Sequence, residues 1–135
     1  MEIKRNVAWV YYIGDTSNLE RDKCGKWMYF FDDKKFVAKI CEDVVKNNVV
    51  VESKHSNDEE GVACFYLNYD DINAHKRILK YFIENNLIKR TKSGKLYNIS
   101  FKLDNQTRAG EYGDNFKSQI KLENFVDLNT GEWIA

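Results

Sequence analysis

Two segments of this chain carry apolar side chains at three- and four-residue spacing, each directly behind a pair of aspartates. Phe36, Val37, Ile40, Cys41, Val44 and Val45 follow Asp32 and Asp33, while Ile72, Ile78, Leu79, Phe82 and Ile83 follow Asp70 and Asp71. That spacing lays one apolar stripe along a helix. An aspartate just ahead of it accepts hydrogen bonds from backbone N–H groups that have no partner inside the helix. Asn47-Asn48 and Asn85-Asn86 stop the two stripes. Each helix follows a β-branched and aromatic run, Lys26 to Phe31 (KWMYFF) and Val62 to Asn68 (VACFYLN), which read as strands. The second run is almost continuously apolar and so is expected at the centre of a sheet.

The rest of the chain offers more strands and no third helix of comparable clarity. Val7 to Ile13 (VAWVYYI) reads as a strand stopped by Gly14-Asp15, and the run Val49 to Val51 leads into the polar end Glu52 to His55. Lys95 to Leu103 alternates in character, with Tyr97, Ile99, Phe101 and Leu103 expected inward and Leu96, Asn98, Ser100 and Lys102 outward. Phe125 to Leu128 and Glu132 to Ile134 flank Asn129-Thr130-Gly131 as a terminal hairpin. Two helices cover one face of such a sheet and no more. The expectation is one α+β domain over residues 1–135: a curved, mostly antiparallel sheet of six to eight strands, two main helices on one face, and the other face open or bent into a groove.

Charge and cysteine usage limit the function classes. The 135 residues hold 21 Lys+Arg and 21 Asp+Glu. This balance argues against a protein that coats polyanions, which needs a surplus of cations over a whole face. No apolar run is long enough to span a bilayer, and no secretory leader is recognisable. Cys24, Cys41 and Cys64 are odd in number and lack any CxxC pair, so neither a disulfide framework nor a structural zinc site is expected. They read as reduced thiols of a cytoplasmic protein. Cys41 and Cys64 belong to apolar runs and should be buried, whereas Cys24 beside Gly25 reads as a partly exposed loop thiol.

The most distinctive segment is Gly25-Lys26-Trp27-Met28-Tyr29-Phe30. Alternation puts Trp27, Tyr29 and Phe31 on one face and Lys26, Met28 and Phe30 on the other. Trp27 is either a stacking platform for a base, with Lys26 meeting a phosphate, or a core residue. Further candidate ligand contacts are Lys39 on the first helix, Lys54 after the third strand, and Arg108 in the polar, Gly-flanked stretch Asn105 to Gly110. Arg108 could engage a phosphate or carboxylate bidentately, with Tyr112 closing over a ring.

No catalytic residue is assigned. His55 and His75 have no metal-ligand spacing, and nucleophile-elbow, Walker and dinucleotide motifs are absent, so neither metal nor cofactor is expected. His75 is placed on the polar side of the second helix as a solvated side chain. Lys54-His55 would be the base and acid of a β-elimination, but no cluster of arginines stands beside it to grip the substrate. The paired aspartates are explained by capping.

The stretches GKWMYFF (Gly25 to Phe31), FVAKICEDVV (Phe36 to Val45), LNYDD (Leu67 to Asp71) and TRAGEYG (Thr107 to Gly113) resemble, in order, the basophilic-leukaemia-expressed protein family. The resemblance spans roughly residues 25–113. It implies a fold similar to the cap-binding translation initiation factor, a curved antiparallel sheet backed by helices. It also implies a ligand-facing role for Lys26, Trp27 and Lys39, extending to Arg108 and Tyr112. Some bacterial relatives are described as carrying a phosphothreonine lyase domain. The cap-binding factor holds its methylated guanine between two tryptophans, for which Trp9 and Trp27 are the candidates here.

These readings converge on a small binding protein rather than an enzyme, holding a nucleotide, a short nucleic-acid segment or another phosphorylated ligand in an aromatic, locally basic groove. Low proline with abundant Lys and Asn suits a phage or mobile-element protein that acts on a host defence system, with a host protein as a further partner. The alternatives are a small lyase for a phosphorylated substrate and a protein-interaction domain; the oligomeric state is left open.

Overall fold

A computed structural model of the chain describes residues 1–104 and 120–134. Arg108 and Tyr112 lie outside the described residues. Six strands form one antiparallel sheet: β1 (Glu2–Arg5), β2 (Trp9–Ile13), β3 (Cys24–Phe31), β4 (Glu52–Ser56), β5 (Gly61–Asn68) and β6 (Lys102–Leu103), in the order β1-β2-β4-β5-β3-β6. Every pairing is antiparallel. Two thirteen-residue helices, α1 (Lys34–Lys46) and α2 (Ile72–Glu84), accompany it. This is the expected α+β architecture, a curved sheet with two helices and its edges not joined.

The helix ends follow the sequence closely. Asp33 accepts a hydrogen bond from the Phe36 N–H and Asp71 from the Ala74 N–H, both at 3.1 Å. At the other ends Asn48 and Asn86 adopt φ of 57° and 55°, the left-handed conformation that asparagine tolerates better than most residues. The Val49 N–H then reaches back to the Val44 carbonyl at 2.8 Å and Leu87 N–H to Phe82 at 2.9 Å. Both are the wrapped hydrogen bonds of a Schellman cap.

That cap corrects the third strand. Val50 N–H also bonds the Val44 carbonyl, at 3.1 Å, so Val49 and Val50 complete the end of α1. Strand β4 is the polar stretch from Glu52 to Ser56, and Lys54 lies within it. At the N-terminus, Asn6 Oδ1 accepts from the Ala8 and Trp9 N–H groups, turning the chain so that β2 starts at Trp9; Val7 is 97% exposed. Strand β1 was not expected from its Glu-Ile-Lys-Arg sequence. Its four residues are all exposed, and charge suits an edge strand because it discourages further pairing.

Only Lys102 and Leu103 of the expected strand from Lys95 to Leu103 join the sheet. The preceding residues make isolated bridges, Arg90 with Leu96 and Ser100 with Lys121. Leu96 is buried and Tyr97 exposed, reversing the expected alternation there, while Phe101 is buried as expected. Gly25 permits β6 to approach, since a Cβ at that position would stand 2.5 Å from both the Lys102 carbonyl oxygen and the Phe101 ring. The terminal hairpin is reduced to one bridge, Val126 with Trp133, around Gly131 at φ 75°.

Both helices pack on the same sheet face. Ser53 Oγ donates to the Cys41 carbonyl of α1 at 2.7 Å, and Phe65 meets Phe82 of α2 at a centroid distance of 5.2 Å. Around α2 the core is polar at one point. The Trp27 indole N–H donates to His75 Nδ1 at 3.0 Å, and His75 Nε2 lies 2.8 Å from the Tyr69 carbonyl. A carbonyl only accepts, so the proton is on Nε2 and the imidazole is neutral. Phe101 and Phe125 close round the ring at 4.8 and 5.6 Å. His75 is therefore a fully buried core residue, not a solvated one. Its position three residues before Ile78 and four before Leu79 puts it on the apolar stripe.

Candidate functional site

Strand register sorts the candidate residues by face. Lys26 pairs with Tyr66, Tyr66 with Glu52, Cys64 with Lys54, Lys54 with Tyr11, and Trp9 with Ser56. Directly opposed residues share a face and successive residues alternate. Trp9, Tyr11, Lys26, Met28, Glu52, Lys54, Cys64 and Tyr66 thus share the face away from the helices. Trp27, Ser53, His55 and Phe65 share the face beneath them.

On the face away from the helices, Lys54 sits among three aromatic rings and Lys26 is held by a carboxylate. The Lys54 ammonium stands 3.9 Å from the centroid of the Trp9 ring, 5.7 Å from Tyr11 and 5.9 Å from Tyr66. This geometry suits cation–π attraction, which draws a cation to the electron-rich ring face. Lys26 Nζ is held by Asp104 Oδ1 at 2.9 Å, with the two side chains 16% and 21% exposed. Tyr66 and Cys64 are buried, and loss of water raises the pKa of both. Their hydroxyl and thiol are consequently protonated at neutral pH. Desolvation also raises the Glu52 carboxyl, with Lys54 opposing and Asp104 adding to the shift.

The structure separates the candidate residues. Lys26 and Lys54 come together on this face. Trp27 does not join them: it is wholly buried beneath the helices, so its ligand-facing assignment is corrected to a core role. Trp9 and Trp27 project to opposite faces and cannot sandwich a ring. Lys39 is exposed on α1, across the sheet from Lys26 and Lys54. Lys54 and His55 are consecutive strand residues and point to opposite faces, which removes them as an acid and base pair for one substrate. The face of Lys26 and Lys54 also differs in charge from the locally basic groove expected. Lys26 is paired with Asp104, and Glu52 lies two residues from Lys54 on the same face of β4, where the Lys54 charge acts on its carboxyl.

Sequence reasoning passed over Tyr11, Glu52, Tyr66 and Asp104. Tyr11 alternates with Trp9, a visible signal, but joining them to Lys54 and Tyr66 requires the pairing of β2 with β4 and of β4 with β5. Cys41 and Cys64 are buried thiols as expected, while Cys24 opens β3 instead of lying in a loop. Burial lifts the Cys41 pKa to about 12, so that thiol is unreactive. Among the described residues no group of three or more His, Cys, Asp or Glu side chains is arranged to hold a metal ion, and no helix is long and apolar enough to cross a membrane. No family model, curated protein or solved structure matches this chain.

Proposed function

We propose that the chain is a small binding protein that holds a nucleotide, or a related phosphorylated ring compound, on the sheet face carrying Trp9, Tyr11, Lys54 and Tyr66. The observation supporting this is the Lys54 ammonium 3.9 Å over Trp9, with two tyrosines around it and Lys26 on the same face. A planar ring stacking on Trp9 displaces the ammonium from the ring face, and the freed cation turns to the ligand's phosphate. Glu52 and Asp104 fit the same ligand, because carboxylates accept from ring N–H groups. In the phage or mobile-element setting that the composition suggests, the ligand is a signal nucleotide of a host defence system, held rather than cleaved.

Tryptophan fluorescence and melting temperature, followed across mono-, di- and cyclic oligonucleotides, test this reading. Binding should quench Trp9 saturably and raise the melting temperature. Trp9→Leu and Lys54→Met should each weaken the affinity by roughly 5- to 150-fold, matching a stacked base worth about 1–3 kcal/mol. A flat response to every nucleotide by both measures overturns it.

A further inference from the structure

On the helix side of the sheet, a cavity of about 230 Å³ is bounded by Arg5, Val10, Tyr12, Lys34, Lys35, Ala38, His55 and Asn57. It joins β1, β2, β4 and the first turn of α1, and no carboxylate lines it. None of Arg5, Lys34 and Lys35 makes an ion pair among the described residues. Three cations round one cavity repel one another, and a chain with as many carboxylates as cations could have neutralised them.

The floor is polar and ordered. His55, 1% exposed, has Nδ1 at 2.9 Å from the Ser56 carbonyl, so the proton of the neutral ring is on Nδ1. Nε2 is left to accept from the Tyr12 hydroxyl, 3.2 Å away. Asn57 uses one amide hydrogen on the Asn6 carbonyl at 3.0 Å and keeps the other. The volume is below the roughly 300–1,000 Å³ usual for drug-sized ligands and equals several water volumes of about 30 Å³.

We propose that this cavity is a binding site for a phosphate-sized dianion, either inorganic phosphate or the terminal phosphate of a small monoester, held by Arg5, Lys34 and Lys35 over the Tyr12–His55 pair. Arg5 offers two parallel N–H groups to the oxyanion and the two lysines offer point charges. The site is independent of the aromatic cluster, since Trp9, Tyr11 and Lys54 occupy the opposite face.

His55 supplies a readout that a purely structural role would not move. The groups facing it are Tyr12 from β2, the Phe31 ring from β3, Lys34 from α1 and Arg5 from β1; Glu42 of α1 acts on Tyr12 without lining the cavity. Burial lowers the imidazole pKa; the hydrogen bond to the Ser56 carbonyl opposes this, and Lys34 and Arg5 add to it. A bound dianion offsets those cations and favours a proton on Nε2, which then donates to Tyr12 while the Tyr12 hydroxyl turns to the anion.

The test is a titration of the full chain with potassium phosphate against potassium chloride at matched ionic strength, followed by the histidine side-chain nitrogen resonances. The site predicts a saturable shift of His55 Nε2 and an upward move of its titration midpoint. Arg5→Gln and Lys34→Gln should each weaken binding at least roughly tenfold, whereas Lys80→Gln on α2 leaves it unchanged. O-phosphoserine in place of phosphate identifies the source: tighter binding assigns a monoester, weaker binding the free ion. No phosphate-specific shift, or the same shift in the Arg5→Gln and Lys34→Gln variants, overturns the proposal.

Discussion

Acidification from pH 7 to pH 5 puts protons on two histidines whose folded surroundings are built for the neutral ring. His55 and His75 are the chain's only histidines, and they are 1% and 0% exposed. Burial is the largest cause lowering both pKa values. In the unfolded chain each titrates near 6.5. Below that pH the unfolded state binds more protons than the native state, so stability falls as pH falls. The full contribution is present above about pH 6.5 and is lost on the way down through the folded-state values.

Each histidine contributes a slope of at most about 1.4 kcal/mol per pH unit. Two histidines therefore set a ceiling of about 2.5 kcal/mol on the loss between pH 6 and pH 5, on the order of 10 °C in melting temperature for a domain of this size. Glu52 works in the opposite direction, since its raised pKa favours the folded state as pH falls toward 4.5, and Glu52→Gln removes that contribution. The lowered pKa values of the exposed Asp15 and Asp70 act at more acid pH. Urea unfolding at half-unit pH steps, in buffer without phosphate, measures the slope. In His75→Asn the amide oxygen can still accept from Trp27 and nothing titrates, so the slope should fall even where baseline stability drops. A wild-type slope near zero between pH 6 and 5, or an undiminished slope in both His75→Asn and His55→Asn, would refute the argument.

Two further substitutions probe the packing that positions the sheet faces. Trp27→Phe removes the donor to His75 Nδ1 and leaves a small void, which should cost about 2–4 kcal/mol by urea unfolding; a loss below about 1 kcal/mol would mean that the hydrogen bond contributes little. Gly25→Ala places a methyl against the Lys102 carbonyl and Phe101 ring, so it should destabilise by about 1–3 kcal/mol and speed amide exchange in β6. Unchanged exchange at Lys102 and Leu103 would contradict that close approach.

Local chemistry made much of this fold legible. Asp33 and Asp71 cap their helices and Asn48 and Asn86 end them, because capping depends on a few neighbouring residues. Alternation correctly separated Lys26 from Trp27, a property of any extended strand. Where local rules failed, a longer-range contact intervened. Val49 and Val50 have strand-forming side chains, yet the end of α1 takes their N–H groups. His75 looked solvated because histidine is polar; its burial depends on an indole N–H forty-eight residues earlier in the chain.

The sequence by itself determined the two amphipathic helices, their ends, the antiparallel α+β class and the face of β3 that carries Lys26, all of which follow from spacing within about ten residues. Only the tertiary structure decided which residues share a site. Register across β2, β4, β5 and β3 gathers Trp9, Tyr11, Lys54, Tyr66 and Lys26, and the turn of the chain into α1 sets Lys34 and Lys35 beside Arg5 and His55. The physical reason is that strand pairing joins residues far apart in sequence, and a shift of one residue in register would turn every side chain of a strand to the opposite face.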